Sequence, residues 1–381
     1  MLPVDLPGTV RDALLAPLVD HHCHGVRRDD LSRGQFELLM GAGAAPAPPG
    51  TTHFDTPVGT AVRRWCAPVL DLDPHAPPAV YLARRDELGA TEVNRRLLGA
   101  AGVVAFLVDT AADDIDMLTA TEMGRHGGAA ADELVRVERV EQDVAVTAQI
   151  AVDYLDGLGE ELTLRAARAV GLKTVIAALY GLDFDPARPA RGAVIAAANR
   201  RLDDPKGAVT DPVLLRHLLW CAIDVARERG LPVQFHTGFG GRSPAEPHRA
   251  DPARLGAFVQ QVQPLGVPVV LLHSYPFHRQ AAHLAGALPH VYADVGLAFP
   301  HTAAGARVMD ELLELAPYHK LLFSSGCHGL AESGYLGALR YRRALAAALG
   351  SRLADGEWSP ADAARVAHMI GSANARRVYR L

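Results

Sequence analysis

Leu18-Val19-Asp20-His21-His22-Cys23-His24-Gly25 is the stretch on which the reading of this chain turns. Two apolar residues lead into an acid, and three histidines follow within four positions. Read as a short buried strand, the segment alternates its side chains and sets His22 and His24 on one face. Two imidazoles leaving a strand end side by side can chelate one transition metal, and neutral nitrogen donors suit zinc, iron or nickel. A polar turn whose histidines only hydrogen-bond is the plainer alternative, because H-x-H pairs also arise by chance. What stands at the ends of the other strands decides between them.

Working outward, apolar runs recur with helical patterns between them. They are Val103–Val108 ending in Asp109, Leu134–Glu138, Ala169–Ala177 with Lys173 inside it, Leu231–His236, Val267–His273, His290–Val295 and Lys320–Ser324. Amphipathic segments such as Pro212–Arg229 and Asp251–Gln263 separate consecutive runs. Strands apolar on both faces belong to parallel sheets. Counted with the first strand they make eight strand–helix units in 381 residues. That number points to an α/β fold of the (β/α)8 TIM-barrel type rather than an open doubly wound sheet. The dinucleotide alternative also lacks its glycine fingerprint, since Gly41-Ala42-Gly43 does not follow a strand. The pattern over 31–43 is helical, and that over 58–100 is helical without a convincing strand. The stretch from about 44 to 100 is therefore expected to be a helical insertion after strand one, a lid over the site or a surface for homo-oligomer formation. The last helix, Pro360–Tyr379, is expected to pack across the barrel, and residues 1–381 to form a single domain.

Composition excludes several classes. With 49% hydrophobic and 21% charged residues, the chain has ample material for a globular core. A formal net charge of −5 gives no footprint for nucleic acid. No apolar run reaches the ~18 residues that span a bilayer, and Met1-Leu2-Pro3-Val4-Asp5 lacks a signal-peptide pattern. Cys23, Cys66, Cys221 and Cys327 are too far apart for a C-x-x-C site and too few for a disulfide framework. The expected setting is cytoplasmic, with a small-molecule substrate and neither membrane nor nucleic acid as partner.

In such a barrel chemistry gathers at the C-terminal ends of the strands. Those ends present His22 and His24, Asp109, Glu138, Lys173, His236, His273 and Asp294 in chain order. Singly, each has an ordinary structural explanation: Asp109 and Asp294 as helix caps, Glu138 as a partner of Arg136 or Arg139. Four histidines converging on one mouth are hard to explain as core, and a metal site is the expectation.

These residues also carry a resemblance. The chain resembles the amidohydrolase superfamily, and within it the FluG-like branch related to amidohydrolase domains that sit beside glutamine synthetases. The matching stretches are Val19–Gly25 (VDHHCHG), Gln234–Gly240 (QFHTGFG), Leu271–Phe277 (LLHSYPF), Tyr292–Gly296 (YADVG) and Lys320–Ser325 (KLLFSS), and similarity extends to Ile370–Leu381. The resemblance implies a distorted barrel with one or two divalent metals, zinc first among them. It implies that His22, His24 and His236 are metal ligands and that His273 is a ligand or contacts the substrate. Lys173 falls where some family members carry a strand-four lysine that bridges two metals; a barrel-floor lysine paired with an acid is the alternative.

One departure stands out. The family's strand-eight motif ends in an aspartate that takes the proton from metal-activated water, and Gly326 stands in its place. Losing a positioned base typically costs ~10²–10⁴ in rate. Either Cys327 or His328 moves into the role, or His273 or Glu138 serves as base, or hydrolysis is gone and a binding relic or a metal-assisted lyase such as a decarboxylase remains. The expectation is a metal-dependent hydrolase acting on an amide or γ-glutamyl-like C–N bond, with His273, His328 and Cys327 as catalytic residues. Arg242 and His248, in the loop after strand five, are candidates for a substrate carboxylate, with Glu138 also facing the substrate.

Overall fold

Seven of the eight apolar runs form strands, and all pair in parallel in sequence order. They are β1 (Leu18–Cys23), β2 (Val103–Asp109), β3 (Ala130–Arg136), β4 (Gly171–Thr174), β5 (Val233–His236), β6 (Val269–Leu272) and β7 (Val291–Ala293). The computed structural model describes residues 2–41, 45–110, 116–238 and 246–381.

The eighth run does not form a regular strand, yet it closes the sheet. Ala293 and Leu321 form a parallel bridge, and Leu322 N–H donates to the Ala293 carbonyl at 3.1 Å. On the other side His21 N–H donates to Phe323 O at 3.2 Å, and Gly326 N–H to His22 O at 3.1 Å. Asp20 completes this seam, accepting from Ser325 N–H at 2.9 Å and Ser325 Oγ at 2.5 Å. The result is a distorted TIM-like barrel whose last stave is held partly by side chains.

The barrel's interior is an apolar cluster. Val19, Ala105, Leu107, Leu134, Val270, Leu272 and Leu322 meet Ala375, Val378 and Tyr379 from the last helix, Asn374–Tyr379. This helix stoppers the end where the strands begin, as the sequence led one to expect. Two larger clusters pack the surrounding helices onto the outside of the strands.

Local chemistry sets several boundaries. The helix Pro212–Arg229 starts with Asp211 accepting from Val213 N–H at 2.8 Å and Pro212 in the first turn, and stops at Gly230 with φ 67°. The helical region after β1 includes Pro78–Ala100 and is tied to the long helix Ala331–Ala354 by a buried ion pair, Arg85 Nε to Glu332 Oε1 at 2.7 Å. Tyr81 Oη donates to the same oxygen at 2.8 Å.

Two sequence expectations shift. β3 ends at Arg136 and the chain turns helical at Val137, so Glu138 lies in a helix's first turn rather than at a strand end. Strict alternation along β1 also fails. His21 reaches Tyr379 and Asp294 while His22 reaches Lys173 of β4, so neighbouring side chains both serve the barrel interior. A register shift between Asp20 and Cys23 is where the alternation relaxes.

Candidate metal centre

Asp109 ends β2 and is fully buried at the mouth. Its carboxylate, one ring nitrogen of His22 and one of His24 lie within 4.8 Å of one another. His24 Nδ1 lies 3.2 Å from the Asp109 carbonyl, a contact that, as a donor bond, leaves Nε2 with its lone pair for an ion. Burial first, then the neighbouring Lys173 charge, drives the imidazoles of His22 and His24 well below their ordinary pKa. Both rings are therefore neutral, as ligands must be.

Two cations crowd the same carboxylate. Lys173 Nζ lies 2.9 Å from Asp109 Oδ2 and 3.0 Å from His22 Nε2. Arg136, at the end of β3, places Nη2 at 2.5 Å and Nε at 3.1 Å from that same oxygen. Burial alone would raise the Asp109 pKa, but Lys173 and Arg136 hold the carboxyl well below the usual range. Burial pushes Lys173 down to about 8, with Asp109 opposing the shift.

The opposite side of the mouth is a run of imidazoles. His22 stands 5.2 Å from His273 between ring centroids, and His273 stands 5.0 Å from His236. His24 stands 5.2 Å from His328, which is exposed. His22 Nδ1, His236 Nε2 and His273 Nδ1 are buried without a hydrogen-bond partner among the described residues. Orphaned buried nitrogens are costly unless something binds them, and beside them His22, His24 and Asp109 form a donor set of the kind that holds a metal ion.

His273 follows β6 with φ 70°, an unfavourable left-handed backbone for a residue bearing a side chain. Its N–H donates to Asp294 Oδ1. Asp294 Oδ2 accepts from Ser324 Oγ at 2.5 Å and faces His21 Nε2 at 2.7 Å. Asp294 thus anchors strands one, six and eight together rather than capping a helix. Burial drives the His273 imidazole down to about 3.

The space beside Gly326 is filled. With φ at 59°, a Cβ there would meet Leu297 Cδ2 at 2.6 Å and His273 Cε1 at 3.3 Å. Cys327, expected to move into the acid's place, turns the other way. Its Sγ donates to Leu330 O at 3.2 Å and lies 3.4 Å from Ser333 Oγ, and burial pushes the thiol up to about 12. A protonated thiol packed in the core neither ligates nor takes a proton at neutral pH.

Glu138 is also inward and engaged: it accepts from Thr174 Oγ1 and, at 2.9 Å, from Val175 N–H. His248 is exposed on the turn Pro247–Ala250, and its side chain makes no hydrogen bond among the described residues. Arg242 lies outside the described residues. Sequence reasoning named Asp109 as a strand end without placing it among the ligands, and saw Arg136 only as a partner for Glu138. The signal for Arg136 was its position, an arginine closing an apolar run.

A parallel barrel with two histidines and a carboxylate gathered at its strand ends is the architecture of a metal-dependent hydrolase class. The family model described as Amidohydrolase matches residues 19–381, and the chain belongs to that family. FluG of Emericella nidulans is 30% identical over 226 residues, which cover 56% of this chain and 26% of that protein. The match thus spans about a quarter of that curated relative. Among solved structures, a protein described as a metal-dependent hydrolase, from Lactobacillus casei, superposes with a TM-score of 0.85 at 21% identity, over 99% of this chain and 98% of that one. A glucuronate isomerase from Caulobacter crescentus gives 0.63 at 13% identity, over 100% and 95%. Both likenesses show the fold. Among the described residues no helix is long and apolar enough to cross a membrane.

Proposed function

We propose that the protein hydrolyses an amide C–N bond of a small molecule, with a γ-glutamyl-like amide as the substrate class and zinc as the metal. The observation that carries this reading is the convergence of His22, His24 and Asp109 beside imidazole nitrogens that have no other partner. His22, His24 and Asp109 would hold the ion, which would supply Lewis acidity toward the scissile carbonyl and the attacking water.

The chain's own residues supply the remainder. His328, exposed and one ring from His24, accepts the proton from the attacking water and delivers it to the leaving amine nitrogen as the C–N bond breaks, in place of the acid absent at Gly326. His273 hydrogen-bonds the substrate and stays neutral. Its imidazole, held at about 3 by burial, would cost about 5 kcal/mol to charge at pH 7, at 1.36 kcal/mol per unit. The motifs QFHTGFG and LLHSYPF, shared with a branch found beside glutamine synthetases, support the γ-glutamyl class.

Metal analysis of the purified protein, run with a panel of γ-glutamyl and other amides, tests this reading. The expected result is about one ion per chain and a turnover that falls ~10²–10⁴-fold in His328→Ala with the ion retained. Bound metal without turnover of any amide refutes the hydrolase reading and leaves a binder or a lyase. One observation favours a relic that has given up its ion: the Lys173 ammonium already balances Asp109 and contacts His22. Protein that takes up no zinc when dialysed against it would establish that second reading.

A further inference from the structure

Three charged side chains meet at the mouth, and they differ in exposure. The Asp109 and Lys173 side chains are 0% and 2% exposed, whereas that of Arg136 is 21% exposed. Arg136 spends one edge of its guanidinium, Nε and Nη2, on a single Asp109 oxygen. A guanidinium carries five donors in a planar fork, and Nη1 has no hydrogen-bond partner among the described residues. Charge points the same way. One carboxylate, Asp109, faces both Lys173 and Arg136, and a divalent ion would add to the positive side. Glu138 does not reach them, since its carboxyl is engaged by Thr174 Oγ1 and Val175 N–H. A substrate entering this mouth meets a cation whose remaining donors are oriented and partly desolvated.

We infer that Arg136 is the specificity-determining residue of the site and selects substrates that carry a carboxylate, which its unoccupied guanidinium edge binds one residue away from the metal-ligating Asp109. The inference rests on the hydrolase reading for the word substrate, and deepens it by naming the charge that the substrate must bear. Of the loop residues expected from sequence to play this part, Arg242 lies outside the described residues and His248 is exposed on its turn. The recognition is charge-assisted and directional, worth about tenfold or more in affinity over a neutral group of the same shape.

The test is isothermal titration of glutarate against glutaramide, a dicarboxylate and its neutral diamide of equal length. It is run on zinc-loaded and on EDTA-treated protein, for wild type, Arg136→Gln and Arg136→Lys. Wild type is expected to bind glutarate at least about tenfold tighter than glutaramide, in both metal states. Arg136→Gln should reduce that preference to less than about threefold, and Arg136→Lys should restore part of it. Persistence of the preference in Arg136→Gln overturns the inference, as does its absence from wild type or its disappearance on metal removal. Metal content and amide turnover are read separately. Hydrolysis of neutral amides without carboxylate preference therefore sinks this inference alone, and carboxylate preference without hydrolysis sinks only the hydrolase reading.

Discussion

The two halves of the barrel mouth are built on different principles. On the side of β2 to β4 the residues are charged and paired with one another: Asp109 faces Lys173 at 2.9 Å and Arg136 at 2.5 Å. On the side of β5 to β7 they are neutral and unsatisfied, with His236 Nε2 and His273 Nδ1 lacking partners among the described residues. The charged half is held by ion pairs within the chain, with Asp109 the anion common to both cations. The neutral half gains its partners only from what enters. On the readings proposed above, ion retention rests on the first half through Asp109, while the substrate meets Arg136 of the first half and the imidazoles of the second.

The comparison breaks most sharply at Asp109. Asp109→Asn should lower bound zinc from about one ion per chain to less than a tenth, and leave the buried Lys173 ammonium without its carboxylate at a cost of about 3–5 kcal/mol. His236→Ala, in the other half, should keep its ion. Metal analysis and thermal melts of both variants check this, and equal metal loss in the two would erase the distinction between the halves.

Lys173 decides the sign of the next effect. If its ammonium competes with the ion for Asp109, freeing it at pH 7 from a group titrating at about 8 costs one unit, so Lys173→Met should bind zinc about tenfold tighter. A lysine that bridges metals predicts looser binding instead. Chelator competition at pH 7 reads the direction.

Gly326→Asp, which puts an acid back at the position where the family's aspartate stands, should fail to raise hydrolysis. The added side chain meets Leu297 at a backbone φ of 59°, and overpacking of this kind costs about 1–3 kcal/mol. Stability measured for Gly326→Asp and for its combination with Leu297→Ala checks the cause, the second change being expected to recover part of the loss.

The smallest effect lies beneath both halves. Tyr379 Oη is 2.8 Å from Gln234 Nε2 and 3.0 Å from His21 Nδ1, and Tyr379→Phe should cost about 1–2 kcal/mol in denaturant unfolding with metal content unchanged.

What the sequence made legible follows the same division. His22, His24, His236, His273 and Lys173 each sit in or just after an apolar run, so their place near the mouth follows from where those runs lie and end. Asp109 was visible as a strand end, but an acid there looks like a helix cap until Lys173 and Arg136 are brought to it across the sheet. Arg136 was hidden by a boundary: the apolar alternation runs on to Glu138, while the chain has already turned into a helix. Cys327 was misjudged because chain proximity to Gly326 says nothing of direction, and its thiol follows Ser333 into the core. The filling of the space beside Gly326 by Leu297 and His273 is a contact between separate segments, which no local pattern encodes.

The seam between β7 and β1 carries one last implication. The segment Leu321 to Cys327 is joined to its neighbours by a short set of backbone bonds and by the Asp20–Ser325 pair, where the other staves are regular strands. Local opening in proteins begins where such bonding is sparse. Amide exchange should therefore surface in this segment ahead of its neighbours, so that the gap through which an ion or solvent first slips in adjoins the very histidines awaiting it.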